Sequence, residues 1–589
     1  MTYLANLTAP CRVPITLVRV TLDFCSRSFG VAPCTGVGEP CYNTYHTCKV
    51  AAAFDKSSKI YEFSSADAPI PWPGPRPYLS SVSYLPTEIT NTVTVTGRIK
   101  IDLIDEPDGD IGIDPYVQQR ASVQGTYFKK LIARNPNYKG RLLEIYEGFL
   151  GDSFEQFQLR ANEPLGLVTV RGEITTLQTV DLLKGIGDIE VPPQQDTKLL
   201  GDIAGDALEM ILDDTADVPL LPDAGYVKIG EEIIQYAAID RAQRRLHGCT
   251  RGVMGTIALG HGAKDAVQIC RYYPPANPFD ILKELLLVDA ALPPGQVDSA
   301  AIDHWRDWPG GEVAMTAFLD KPTKLSDLLL GVNSQSKSLS SSTDLPPESF
   351  GLVDLLDCKI WVAENLKVTL SRNIPNAPGR SYRSVTDAAT VVSGSASVDM
   401  NEKIRVTRSV LYWDKDVLGA VDTAESYVQR DVGVNLDAER EYAATITERI
   451  YCRWLKSGIM QEEILADYIR DLLARRLFNR RDAAPVITLS VELKDSEILT
   501  GSFVTLFTDE LLQPDGTPIH TRAQVIYREP RGSKIDLKVQ RLNVRRSAFY
   551  APEDAPVYQD ATAAQQEYGG FYCDDLGKMP NGDVGFFYY

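Results

Sequence analysis

Four cysteines near the start of the chain are the residues best suited to chemistry. Cys25, Cys34, Cys41 and Cys48 are separated by 8, 6 and 6 residues in CSRSFGVAPCTGVGEPCYNTYHTC. The remaining cysteines after this block, Cys249, Cys270, Cys358, Cys452 and Cys573, are widely scattered, and each is expected to be a small buried hydrophobe. Gly30, Pro33, Gly36, Gly38 and Pro40 lie between the four sulfurs, so each cysteine stands at the edge of a turn. Loops of that length can fold back and bring four thiolates to one point. In a reducing compartment such a set suits zinc or an iron–sulfur cluster. The paired C-x(2–4)-C knuckles of zinc ribbons are absent, and so is the compact spacing of bacterial ferredoxins. From the residues alone, metal or cluster binding leads, with disulfides and plain packing open as alternatives. His46, two residues before Cys48, could substitute as a ligand. A surface or supporting position is expected for it, because four cysteines already complete a site. Cys11 lies outside the block.

Two further groupings carry weaker signals. Asp105, Asp108, Asp110 and Asp114, in DEPDGDIGIDP, could offer oxygens to calcium. Gly112 stands where an EF-hand needs a ligand and no closing Glu follows, so a solvated turn is expected. Gly248, Gly252, Gly255, Gly260 and Gly262, in LHGCTRGVMGTIALGHGAKDAV, could cradle a phosphate. The G-K-S/T ending of a P-loop is missing, and the flanks YVKIGEEIIQYAAI and AVQICRYY read as strands, so a long hairpin connection is expected. There is no G-x-S-x-G elbow and no H-E-x-x-H, and the chain has only five histidines: His46, His247, His261, His304 and His520. The sequence gives no support for an enzyme.

The elements that must position these residues are mostly strands. Val18, Val20, Leu22 and Phe24 alternate just before the cysteines, as do Val93, Val95, Ile99, Ile101 and Leu103, with Gly97 as a bulge or point of close approach. Ile487, Leu489, Val491 and Leu493, then Ala523, Val525 and Tyr527, then Ile535, Leu537 and Val539 repeat the pattern. Turn material at Gln513-Pro514-Asp515-Gly516 and Pro530-Arg531-Gly532-Ser533 joins them, which predicts a small antiparallel barrel or meander. The strongest helix is expected over 459–478, with Leu465, Tyr468, Ile469 and Leu472 as its apolar stripe, acidic residues early, and Arg475 and Arg476 late. Shorter helices are expected over 197–213 and 279–290, and all three read as packing elements. Pro69, Pro71, Pro73, Pro75 and Pro77 predict a stiff linker that joins no central strand. Residues 334–343 read as a polar loop. From about 551 the chain is poor in aliphatics and is expected to be disordered or to dock on a neighbour.

The 589 residues suggest about four domains. A net charge of −19 disfavours wrapping nucleic acid or lying on an anionic membrane. No stretch approaches the ~20 apolar residues of a membrane span, and the first residues do not read as a signal peptide, so folding in a reducing cytosol is expected.

Several blocks together resemble one family. LDFCSRSFGVAPCTGVGEPCYNTYHTC, DGDIGIDPYVQQR, GTYFKKLIARNPNYKGRLLEIYEGFL, the CTRGVMGT segment with its following His, and the long helix followed by VITLSVEL to IDLKVQRL are similar to tail-tip (baseplate) hub proteins of long non-contractile-tailed phages and gene transfer agents. The resemblance covers most of residues 10–545. It implies a mainly β, multidomain α+β chain with hub-type β-barrel domains, a few helices and a Cys-rich N-terminal module. The expected division is 1–80 (iron–sulfur module and Pro-rich linker), 81–190 (barrel), 191–345 (mixed α/β insertion), 346–485 (second hub domain ending in the long helix), 486–550 (small barrel) and 551–589 (docking tail). It implies a non-enzymatic homotrimeric ring at the distal end of a virion's tail, made in the host bacterial cytoplasm. That ring would lie below the distal tail ring, contact the tape measure protein and anchor fibres or a spike. DNA would be passing cargo only, and there would be no stable membrane insertion. In lambda-like relatives the tail-tip partner carries a 4Fe–4S cluster on four cysteines. Carried over by motif, the ligands here are Cys25, Cys34, Cys41 and Cys48, with zinc as the alternative. A tail-tip cell-wall hydrolase or a zinc-stabilised assembly protein are the competing functions.

Overall fold

The structure, a computed structural model, describes residues 13–541 apart from 66–69, 71, 73, 86–87, 90–93, 96–97, 111, 121–123, 214–220, 308–312, 333–347, 364, 366, 373–382, 401–404, 443, 482–484, 513–515 and 532–533. Cys11, Val93, Gly97, the prolines at 69, 71 and 73, the polar loop 334–343, much of both expected C-terminal turns, Cys573 and the tail 551–589 therefore lie outside the described residues. The chain is mainly β, arranged as a closed barrel and several further sheets with a few helices.

The barrel is built from β1 (Pro14–Cys25), β2 (Lys56–Ser65), β3 (Arg76–Leu85), β4 (Arg98–Ile104), β5 (Leu142–Phe149), β6 (Gln158–Arg171) and β7 (Ile174–Thr179). Around the ring the order is β1, β2, β3, β4, β7, β6 and β5, which closes on β1. The β2–β3 pair is parallel and the other neighbours are antiparallel. Alternation explains the interior: Val18, Val20, Leu22, Ile99, Ile101 and Leu103 point to one core, joined by Phe63, Leu143 and Ile145. The helix Tyr127–Arg134 adds Tyr127, Phe128 and Leu131 to that core, with the Phe63 and Phe128 rings 5.2 Å apart.

Three of the seven strands begin before residue 80, so the expected boundary there falls inside β3 and the cysteine block is not a separate module. Pro77 sits at the start of β3, beside an irregularity in the β2–β3 register, where a missing N–H is tolerated. The boundary at 345 is also crossed. One large core joins Leu183, Phe279, Leu328, Leu352, Trp454 and Leu465, so the middle of the chain packs as a continuous unit.

Helix expectations are met unevenly. Glu462–Arg481 is helical and buries Leu465, Ile469, Leu472, Leu473 and Leu477. Pro278–Glu284 is helical and continues as a π-helical turn over Leu285–Asp289. Residues 197–213 are not a helix: Leu199 bridges Leu212, and Glu209–Ile211 is a strand. Its buried Met210 and Leu212 lie two apart, a strand spacing that the helical reading of the aliphatics overlooked.

The last sheet has six strands in the order Arg383–Thr386, Phe503–Leu512, Pro518–Arg531, Lys534–Arg541, Pro485–Glu492 and Ser397–Met400. The strands from 486 onward pair antiparallel with one another, as a meander, but the expected closed barrel is corrected to an open sheet that borrows Arg383–Thr386, parallel to Phe503–Leu512, and Ser397–Met400 from before the long helix. A register shift between Val525 and Tyr527 buries Ile526 in place of Tyr527.

Candidate functional site

Residues 26–55 form one long loop between two adjacent barrel strands, because Cys25 at the end of β1 is paired with Lys56 at the start of β2. Ordered loops of this length inside a compact fold are uncommon and usually functional. Its regular structure amounts to two 3-10 turns, Tyr45–Thr47 and Ala51–Ala53. Gly30 and Gly38 adopt positive φ at the tight reversals. At Gly36 a Cβ would run into the Phe29 ring.

All four candidate ligands lie on this loop or at its root. Cys25, Cys34 and Cys41 are buried and Cys48 is half-buried, and none of the four is in a disulfide. The disulfide alternative is therefore not realised in this structure. Burial pushes the Cys41 thiol up against the opposing backbone hydrogen bond of Asn43, and the thiols of Cys48, Cys34 and Cys25 add to the rise. Among the described residues no three His, Cys, Asp or Glu side chains crowd onto a single ion-sized point. His46 is exposed and turns to a cleft of about 300 Å³ that it shares with Tyr45, Phe54 and Arg141, in keeping with a surface position.

Backbone contacts tie the loop to the barrel. The Cys25 N–H donates to the Asn43 carbonyl at 2.7 Å, and Asn43 Nδ2 returns bonds to the carbonyls of Cys25 and Arg27 at 3.1 and 3.0 Å. The Asp55 N–H donates to Cys25 Sγ at 3.5 Å.

The other side of the loop is held by the acidic segment. That segment is no solvated turn: Asp105, Asp110 and Asp114 are buried. Each carboxylate has a partner. Asp105 accepts from the Phe128 N–H at 2.7 Å at the start of the helix, and Asp108 pairs with Arg76. Asp110 takes Lys130 at 2.7 Å and Arg134 at 2.6 Å, and Asp114 takes Arg120 at 2.5 Å. Protein donors, most of them cations, occupy the oxygens that calcium would need. The reason lies outside the segment, in basic residues up to 24 positions further on.

Arg120 then bridges to the cysteines. Its two Nη atoms donate to the carbonyls of Pro40 and Cys41, both at 2.9 Å. The Arg120 and Arg134 guanidiniums sit 3.8 and 4.0 Å from the centre of the Tyr42 ring. Nearby, the Phe29 N–H donates to the Tyr116 hydroxyl at 2.7 Å. Arg120, Tyr42 and Asn43 went unmarked in the sequence, and only their nearness to the two motifs could have suggested them.

The glycine-rich segment is a connection, as expected. Its donors face inward: Glu232, fully buried, accepts from Arg251 through both oxygens, from the N–H groups of Gly252 and Leu259, and from His261 at 2.7 Å. A phosphate cradle would need those donors free. Cys249, Cys270, Cys358 and Cys452 are buried single thiols, as expected.

A second buried charge network lies at the end of the long helix, which reads from sequence as a packing element without a cluster of titratable residues on its apolar face. Arg476 contacts Glu348 at 2.5 Å and Glu448 at 2.8 Å, and Arg480 contacts Glu448 at 2.8 Å. Among the described residues no helix is long and apolar enough to cross a membrane.

No family model matches the sequence, and no curated protein matches it. Among solved structures the chain is similar to the 43 kDa tail protein of prophage MuSo2 from Shewanella oneidensis, with 8% identity and a TM-score of 0.35 over 78% of this chain and 95% of that one. It is similar to prophage tail protein gp18 from Listeria monocytogenes, with 9% identity and a TM-score of 0.30 over 82% of this chain and 91% of that one. A chain of the native gene transfer agent virion shares 16% identity at a TM-score of 0.21, over 33% of this chain and 38% of that one.

Proposed function

We propose that this chain is a structural component of a phage-type tail and, more finely, the hub of a tail tip. In this reading three copies form a ring that closes the tube, anchors fibres or a spike and opens for genome exit. An iron–sulfur cluster on Cys25, Cys34, Cys41 and Cys48 acts as the rigid centre of the long barrel loop. When bound, the cluster supplies a cross-link between four points of a backbone that has little pairing of its own, as structural metals do.

The observation that supports the reading is the placement of all four cysteines, none in a disulfide, on or at the root of one long ordered loop between two strands of a closed barrel. The resemblance of the sequence blocks around these residues supports the hub assignment.

Two experiments test it. Cryo-electron microscopy of the particle should place a ring of this chain at the distal end of the tail; density elsewhere in the virion overturns the hub. The anaerobically purified chain should contain iron and acid-labile sulfide; a colourless chain holding only zinc overturns the cluster and leaves the hub standing.

A further inference from the structure

We infer that Arg120 is the positioning residue for the Cys41 arm of the cluster site, with Asp114 and Tyr42 as its supports; this rests on the cluster reading above. The arm Pro40–Tyr42 has no strand or helix to hold it. Arg120 substitutes for one. Its Nε is fixed to Asp114 at 2.5 Å, so the planar guanidinium has one orientation, and its two Nη atoms reach the consecutive carbonyls of Pro40 and Cys41. The Tyr42 ring closes the arrangement against Arg120 and Arg134, and Arg134 is itself fixed by Asp110. Both arginines are almost wholly buried. The acidic segment therefore has a role that neither a calcium loop nor a solvated turn explains: its buried carboxylates orient the cations that shape the loop.

Two consequences follow from the chemistry. The arm is held in place by protein contacts alone, so this part of the site is preorganised and loading needs less ordering of the chain there. A cluster on four thiolates is anionic overall, and buried cations beside one ligand favour its more reduced, more negative state and raise its potential. Lysine keeps the charge but cannot fork between two carbonyls and a carboxylate while lying flat on an aromatic ring.

The test uses the full chain, purified without oxygen, as wild type, Arg120→Ala, Arg120→Lys and Tyr42→Leu. Iron and sulfide per chain, the rate of iron loss to a chelator and the reduction potential are measured, with circular dichroism reporting the fold. Arg120→Ala should lose iron about 10-fold faster and titrate at a lower potential, as expected for loss of a group that orients a ligand. Arg120→Lys should restore most of the potential but not the slow loss of iron. Tyr42→Leu should give a smaller acceleration. If Arg120→Ala fails to fold, Arg120→Lys decides by the same readouts. Wild-type values in both Arg120→Lys and Tyr42→Leu, or in a folded Arg120→Ala, overturn the inference while the cluster stands. A wild-type chain without iron and sulfide removes the cluster reading and the inference with it.

Discussion

Arg251 holds both oxygens of Glu232, through Nε and Nη2 at 2.8 Å each, where neither side chain meets appreciable solvent. The strand Glu232–Tyr236 supplies the carboxylate, and the irregular backbone from 250 to 261 wraps around it. A glycine-rich loop is thereby given a fixed shape without a core of its own.

Replacing Glu232 with Gln should loosen that loop. Breaking one side of a buried pair costs about 3 kcal/mol, which corresponds to amide exchange on the order of 100-fold faster at Gly252 and Leu259. Hydrogen exchange with mass spectrometry reads this, and unchanged protection would contradict it. Burial alone would raise the Glu232 carboxyl, yet bonds from Arg251, Leu259, His261 and Gly252 hold it down to about 2. Its contribution is therefore complete above the ordinary value of 4.5 and is lost as pH falls toward 2, so wild type and variant should converge over that window.

The network at the end of the long helix should behave similarly. Glu448 is fully buried, and its carboxyl is held below its ordinary value because Arg476, Arg480 and Ser409 outweigh desolvation. Glu448→Gln leaves two arginines short of charge and should destabilise the central unit by about 3 kcal/mol, read as a lower urea midpoint. A midpoint equal to wild type would show that the pair contributes nothing.

Asp354 gives the opposite pH sign. Burial, reinforced by Glu348, pushes its carboxyl up to about 7 against the pull of Arg476 and Arg480. The unfolded chain releases that proton near 3.8 while the folded chain keeps it to about 7, so this group lowers stability progressively as pH rises through that range. Asp354→Asn should match wild type near pH 4 and melt higher at pH 8. A variant less stable than wild type at pH 8 would refute this.

Much of the fold was legible where alternation was strict. Val18, Val20 and Leu22, Ile99, Ile101 and Leu103, and Ile535, Leu537 and Val539 all face cores as their spacing predicts. The boundary near 80 was not legible, because barrel closure pairs β1 with β5 across more than a hundred residues and no local pattern encodes such a partner. The acidic segment was misread for the same reason: whether Asp110 meets water or Arg134 depends on where a helix begun at Tyr127 lies in space. Density and spacing alone single out the four cysteines as candidates, whereas Arg120 becomes visible only once the loop is seen to rest on it.

Iron and acid-labile sulfide analysis of the anaerobically purified chain, alongside single serine variants at 25, 34, 41 and 48 and a Cys270→Ser control, bears on the four thiolates themselves. Wild type and the Cys270 variant should carry iron with matching sulfide and a broad absorbance near ~400 nm, and each of the other four should lose most of both. Iron retained equally in all five variants, or absent from the wild type, would contradict a shared inorganic centre on this loop.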